Sequence, residues 1–249
     1  MPLTRPRHWV RWLIGAIVVV AALAVAGPFV YIHFFNGSTP AALSLSPSAG
    51  SSSAASSSGA PAGSPSAAPG DSGTVSGTWT VGSGSVVGYR VNEVLLGQNT
   101  TAVGRTSSVT GSLTLAGSTA TAASFRVPMA TVHSDKSQRD AQFDGRIMDV
   151  ARYPTGSFAL TGPISLAPLP ALGTVRSYTA HGKLTLHGTT RAVTFTLTAE
   201  RTAGGTQLKV AGDIPVLFSA YNIQNPSLGG FVTTQDHGLL EFLLVFTRS

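Results

Sequence analysis

The stretch Leu239-Leu240-Glu241-Phe242-Leu243-Leu244-Val245-Phe246, close to the C-terminus, decides the architecture. Its one charge is Glu241, and it is apolar at odd and even positions alike, so an extended strand here must be covered on both faces. Such a strand is either central to a sandwich or the closing strand of a barrel, with one face in the lumen. Upstream, the pattern becomes strict alternation. Val193, Phe195 and Leu197 alternate with Thr194, Thr196 and Thr198; Val109, Gly111, Leu113 and Leu115 alternate with Thr110, Ser112 and Thr114. Tyr89 and Val91 alternate with Gly88, Arg90 and Asn92, and Leu184 and Leu186 with Lys183, Thr185 and His187. Period-2 runs between Gly, Asn, Asp and Pro punctuation are strands with one face buried. One stretch breaks the rule: Phe143, Ile147 and Val150 recur at i, i+4 and i+7 until Tyr153-Pro154 stops them, which predicts one short helix. About eight strands result, with the helix between the fourth and fifth, in an antiparallel barrel or sandwich.

Ahead of this domain the chain changes regime twice. Residues 12–35 contain no Asp, Glu, Lys or Arg. As a helix they would be about 36 Å long, enough to cross a hydrocarbon core of about 30 Å. Arg5, Arg7 and Arg11 flank the run, which keeps residues 1–11 cytoplasmic and exports the chain beyond residue 35. A signal peptide cleaved after Ala24-Val25-Ala26 is the competing reading; it would leave Phe29, Val30, Tyr31, Ile32, Phe34 and Phe35 as an exposed apolar terminus, and an uncleaved anchor hides them. Residues 36–77 hold 14 Ser, 9 Ala, 7 Gly and 5 Pro among 42, too little apolar surface to offset chain entropy, so a disordered linker is expected. Residues 78–249 are the part able to build a core.

Composition closes several functional classes. With no cysteine there is no disulfide framework, thiolate metal site or cysteine nucleophile. The net charge of +6 comes from scattered Lys and Arg with no run of adjacent charges, so nucleic acid is not an expected partner. The exported domain's four histidines, His133, His181, His187 and His237, show no metal-ligand spacing; His181 and His187, read on one strand, would stand about 20 Å apart. No Gly-x-Ser-x-Gly elbow occurs, and Gly70-Asp71-Ser72-Gly73 lies in the linker, without the rigid base and oxyanion donors a nucleophile needs. Asp140 and Asp144 share a helix face and read as solvated partners of Arg139 or Arg146. Gly82, Gly84 and Gly88 miss the dinucleotide fingerprint. No enzyme and no metal are expected; a barrel of about eight strands has room inside for packed side chains or one small ligand.

In order along the chain stand Trp79, Ser85-Val86-Val87-Gly88-Tyr89-Arg90-Val91, Val109-Thr110-Gly111, Arg139-Asp140, Tyr153-Pro154 with Phe158, Gly182-Lys183-Leu184-Thr185-Leu186-His187-Gly188-Thr189-Thr190 and Glu241-Phe242. This combination resembles the YceI-like family, lipocalin-like barrels that bind polyisoprenoid lipids. The resemblance implies an all-β, eight-stranded antiparallel barrel with an elongated apolar lumen, no established catalytic residues, and an isoprenoid lipid or quinone as the bound group. Many members carry a His on the second strand, where this chain has Asn92 and Glu93. The lumen face is expected to carry Tyr89, Val91, Phe125, Val127, Phe158, Leu160, Val193, Phe195 and Leu197, and Arg139 is the candidate for a phosphate or quinone head group. The function expected is a membrane-tethered, extracytoplasmic lipid-binding protein; the alternative is a cell-envelope interaction module whose barrel is filled by its own side chains.

Overall fold

The structure, a computed structural model, describes residue 17 and residues 39–45, 75–202, 204–230 and 232–248. The basic residues 1–11, nearly all of the apolar run 12–35, the Gly70-Asp71-Ser72-Gly73 stretch and most of the linker lie outside the described residues. Among the described residues no helix is long and apolar enough to cross a membrane.

The described residues form thirteen strands: β1 (Gly77–Val81), β2 (Val86–Leu95), β3 (Gln98–Thr106), β4 (Thr110–Ala116), β5 (Thr119–Pro128), β6 (His133–Ser134), β7 (Thr155–Leu160), β8 (Ile164–Ser165), β9 (Val175–Leu186), β10 (Thr189–Arg201), β11 (Gln207–Leu217), β12 (Val232–Thr234) and β13 (His237–Arg248). They reduce to an eight-stranded antiparallel barrel. β13 is long enough to pair with β2 over Leu239–Leu243 and with β1 over Phe246–Arg248, so β1 and β2 are one wall strand interrupted at residues 82–85. β3 pairs with β2 and β4 with β1, which makes β3 and β4 a second broken strand. The wall continues through β5, β7, β9, β10 and β11 back to β13. The doubly apolar run in β13 is therefore the closing strand, with Phe242, Leu244 and Phe246 in the core and Glu241 on the outer face.

The expected helix begins as α1 (Ser137–Gln142) and widens into a π-helical turn over Phe143–Ile147. It falls between the third and fourth wall strands, one earlier than expected, because the broken strands each count once. It packs beside β6, the short second neighbour of β3, and lines the large cavity there, with its buried Phe143 facing the lumen.

Two pieces of the stretch expected to be disordered belong to the structure: residues 39–45, and residues 75–77 leading into β1. Val75 is buried, and its carbonyl accepts the Trp79 indole N–H at 2.9 Å, plugging one barrel end. The expected linker is shorter by those two pieces. His187 is corrected as well: it sits past the end of β9 with Gly188, both at positive φ, in the two-residue turn to β10, and does not share a strand face with His181. The Tyr153 ring packs 4.3 Å from the His187 ring and fills the space any Cβ on Gly188 would need. The Tyr-Pro and Leu-His-Gly-Thr segments are thus two halves of one contact.

Candidate functional site

The interior has two chambers. At the end where β2 turns into β3 lies a cavity of about 390 Å³, lined mostly by apolar side chains from β2, β5, β9 and β11, the helical segment and the loops after β11. At the other end a void of about 90 Å³ is enclosed by Leu113, Leu115, Leu208, Leu244 and Phe246. Four phenylalanines separate them. Phe125 stacks on Phe158 at 5.4 Å and lies 5.9 Å from Phe242, while Phe195 meets Phe158 and Phe242 edge-on at 5.5 and 5.8 Å. Edge-to-face and offset contacts at these spacings are favourable for aromatic quadrupoles, so the partition is a packed wall.

Polar groups gather at the mouth of the larger chamber. Tyr89 stacks on Phe143 at 5.1 Å and lies across Gly104 of the neighbouring strand, where any side chain would collide with its ring. Burial pushes the Tyr89 hydroxyl up to about 12, against the opposing pull of Arg139, so it stays a neutral donor at ordinary pH. Glu93 reaches inward from β2 with its side chain 9% exposed, and Arg139 on α1 approaches it at 3.4 Å. Burial raises the Glu93 carboxyl above its ordinary value, with the Arg139 charge and hydrogen bond opposing the shift. Arg139 also pairs with Asp135 one turn back. Asp140 ties the helix start to β6, accepting from the Ser134 backbone N–H at 2.8 Å and hydroxyl at 2.7 Å, with His133 at 3.4 Å. Arg146 latches the far end of the segment to the loop after β11, donating to the Asn225 and Pro226 carbonyls at 3.1 Å each. Among the described residues no group of three or more His, Asp or Glu could hold a metal ion.

All nine residues expected on the lumen face point inward, but they divide between the chambers. Tyr89, Val91, Phe125 and Val127 line the large cavity; Phe158, Leu160, Phe195 and Leu197, together with Phe125, line the small void; Val193 packs on the core and lines neither. Arg139 is at the mouth, and its carboxylate partners are Glu93 and Asp135, not the Asp140 or Asp144 that helical spacing suggested, because Asp140 is taken by Ser134 and His133. Sequence reasoning missed Phe218 and Ile223, which come from irregular chain with no periodicity, and the lining role of Phe143 and Ile147, whose helical spacing was visible. Glu93 stood out only as a departure from the family pattern.

The same barrel occurs in known proteins. The YceI-like domain model matches residues 79–246, essentially the whole barrel. A polyisoprenoid binding domain from Saccharophagus degradans, implicated in plant cell wall breakdown, superposes with a TM-score of 0.57 at 15% identity, covering 69% of this chain and 98% of that one. BcnA of Burkholderia cenocepacia is similar with a TM-score of 0.48 at 22% identity over 63% of this chain and 95% of its own. The YceI protein of Campylobacter jejuni scores 0.45 at 10% identity over 57% and 82%. No curated protein sequence matches. With that domain model matched over residues 79–246, two thirds of the chain, the chain belongs to the YceI-like domain family.

Proposed function

We propose that the large chamber holds the apolar tail of a polyisoprenoid-type lipid, with its phosphate, hydroxyl or quinone head at the mouth beside Arg139 and Tyr89, and that the protein binds without catalysing. The cavity carries this reading: about 390 Å³ of mostly apolar space inside a closed barrel, within the range of ligand pockets, with Glu93, Arg139 and Arg146 among the few polar residues that line it. Each buried five-carbon unit contributes about 3–4 kcal/mol of transfer free energy before ordering costs, so a chain lacking polar atoms needs few directed contacts. Arg139 has guanidinium donors beyond those its two carboxylates use, and these suit an anionic or carbonyl head.

The barrel's exposed large apolar residues, Val94, Leu96, Leu217 and Leu228, surround the same mouth, as lipid exchange with a bilayer requires. Residues 12–35 are assigned as the membrane anchor, with residues 1–11 cytoplasmic and the barrel outside the cell membrane. A self-filled interaction module finds no support in a chamber this size. The test is lipid extraction and mass spectrometry of the full chain purified from its native membranes. One long apolar lipid per chain is expected; a chain that arrives empty and takes up no prenyl lipid of any head-group class refutes the proposal.

A further inference from the structure

The outer wall carries a second cluster that lipid binding does not use. Arg105, Gly88 and Glu241 are lateral neighbours on β3, β2 and β13. Gly88 leaves the gap between them open: a Cβ there would stand 2.9 Å from Arg105 Cγ, and without it the guanidinium crosses β2 to reach Glu241 at 3.2 Å. Arg90 pairs with the other carboxylate oxygen. The Glu241 side chain is only 3% exposed although it points away from the lumen, and the outward Val103 and Val245 are also buried. Two guanidiniums offer more donors than one carboxylate can accept, and the surplus is directed at peptide carbonyls. Arg90 donates to the Pro40 carbonyl at 2.8 Å and Arg105 to the Ala41 carbonyl.

The residues supplying those carbonyls are unlike the rest of their segment. Across 36–77 the aliphatic residues larger than Ala, Pro aside, are Leu43, Leu45 and Val75, and the two leucines follow closely on the carbonyls that the arginines hold. Leu43 and Leu45 are half-buried while Ser44 between them is exposed, the alternation of an extended chain with one side covered. Pro40 has no N–H to satisfy and favours an extended backbone whose carbonyls remain free to accept.

We infer that the Arg90–Glu241–Arg105 face is a peptide-binding site filled in cis by residues 39–45, and that this docking turns the linker into a short clamp. A free 42-residue coil would let the barrel range over roughly 35 Å. With residues 39–45 on the wall, only residues 36–38 separate it from the end of the apolar run, a reach of roughly 15 Å at full extension. The barrel is then held at the surface into which residues 12–35 insert, a consequence that rests on the membrane anchor of the proposed function. The docking itself does not.

The absence of native cysteine allows a direct test on the full chain. Nitroxide labels at the exposed positions Ser44→Cys and Asn99→Cys are placed in the membrane-reconstituted protein and their separation measured by pulsed electron paramagnetic resonance. Docking gives one narrow distance, and adding Leu43→Ser and Leu45→Ser, which lie outside the barrel core, broadens it at least twofold. A broad distribution in the doubly labelled parent, or an unchanged distance in the serine variant, overturns the clamp. A narrow distance in protein that binds no lipid, or that fails to enter vesicles, upholds the clamp and refutes the tethered lipid-binding function.

Discussion

The mouth and the plugged end of the barrel share the same strands and the same inward alternation, yet one encloses about 390 Å³ and the other about 90 Å³. The difference comes from what each strand contributes after the alternation is set. Toward the plugged end, paired leucines, the four phenylalanines and Trp79 meet side to side and exclude space. Toward the mouth, Ala102, Gly104 and Gly156 face inward, and β3 has only the short β6 as its second neighbour, so a helical segment lines the wall there. Alternation makes a barrel; residue size along each strand decides whether it is a core or a container.

Truncations should separate the two ends most strongly. Phe242→Ala removes a ring from the partition and is expected to cost about 3–5 kcal/mol in urea unfolding, because the wall around it cannot collapse. Phe143→Ala, facing a space that is already open, is expected to cost about 1–2 kcal/mol. Equal losses would mean that both ends are packed alike.

Enlargements reverse the contrast. Ala123→Phe drives a ring into the small void and should destabilise by about 1–3 kcal/mol while leaving prenyl-lipid affinity within about twofold. Ala102→Phe enters the large chamber, should shift stability by less than about 1 kcal/mol, and should weaken lipid binding at least about tenfold by taking up ligand space. Lipid titration alongside unfolding reads both arms. An Ala102→Phe protein that binds normally would place the ligand elsewhere.

The smallest effect is electrostatic and confined to the mouth. The folded Glu93 carboxyl lies above its ordinary 4.5, so the protonated form favours the fold. That contribution is complete below the unfolded value and is lost as pH rises through the folded one. Glu93→Gln should therefore flatten the stability profile in the window just above 4.5. Arg139→Ala should move the Glu93 titration further up, since Arg139 supplies the charge and hydrogen bond that hold it down. Carboxyl carbon NMR checks this, and an unmoved Glu93 would show that the two groups are uncoupled.

The interleaving of Thr and Ser with Val, Leu and Phe along β10 and β4 showed two unlike faces, but which of them turns to the lumen came only with the strand pairing, since a slip of one residue exchanges the whole set. The closing role of β13 was readable as one of two options from its two apolar faces. What the alternation could not convey is how inward positions divide between chambers: Phe158 and Phe195 look no different from Val127 until strand pairing stacks them across the lumen. The mouth loops, with Phe218 and Ile223, have no period to detect. The outer-wall cluster depends on the lateral register of Arg105, Gly88 and Glu241, residues distant in sequence whose proximity only the closed sheet creates.

A prenyl phosphate carrying a diazirine at its apolar end, photolysed with the full chain and mapped by peptide mass spectrometry, tests the container most directly. Lumen binding predicts adducts on mouth-chamber residues such as Met129, Phe143 and Met148, and none on Leu115 or Phe246 behind the phenylalanine partition. Adducts confined to the outer wall, or spread evenly over both ends, would contradict it.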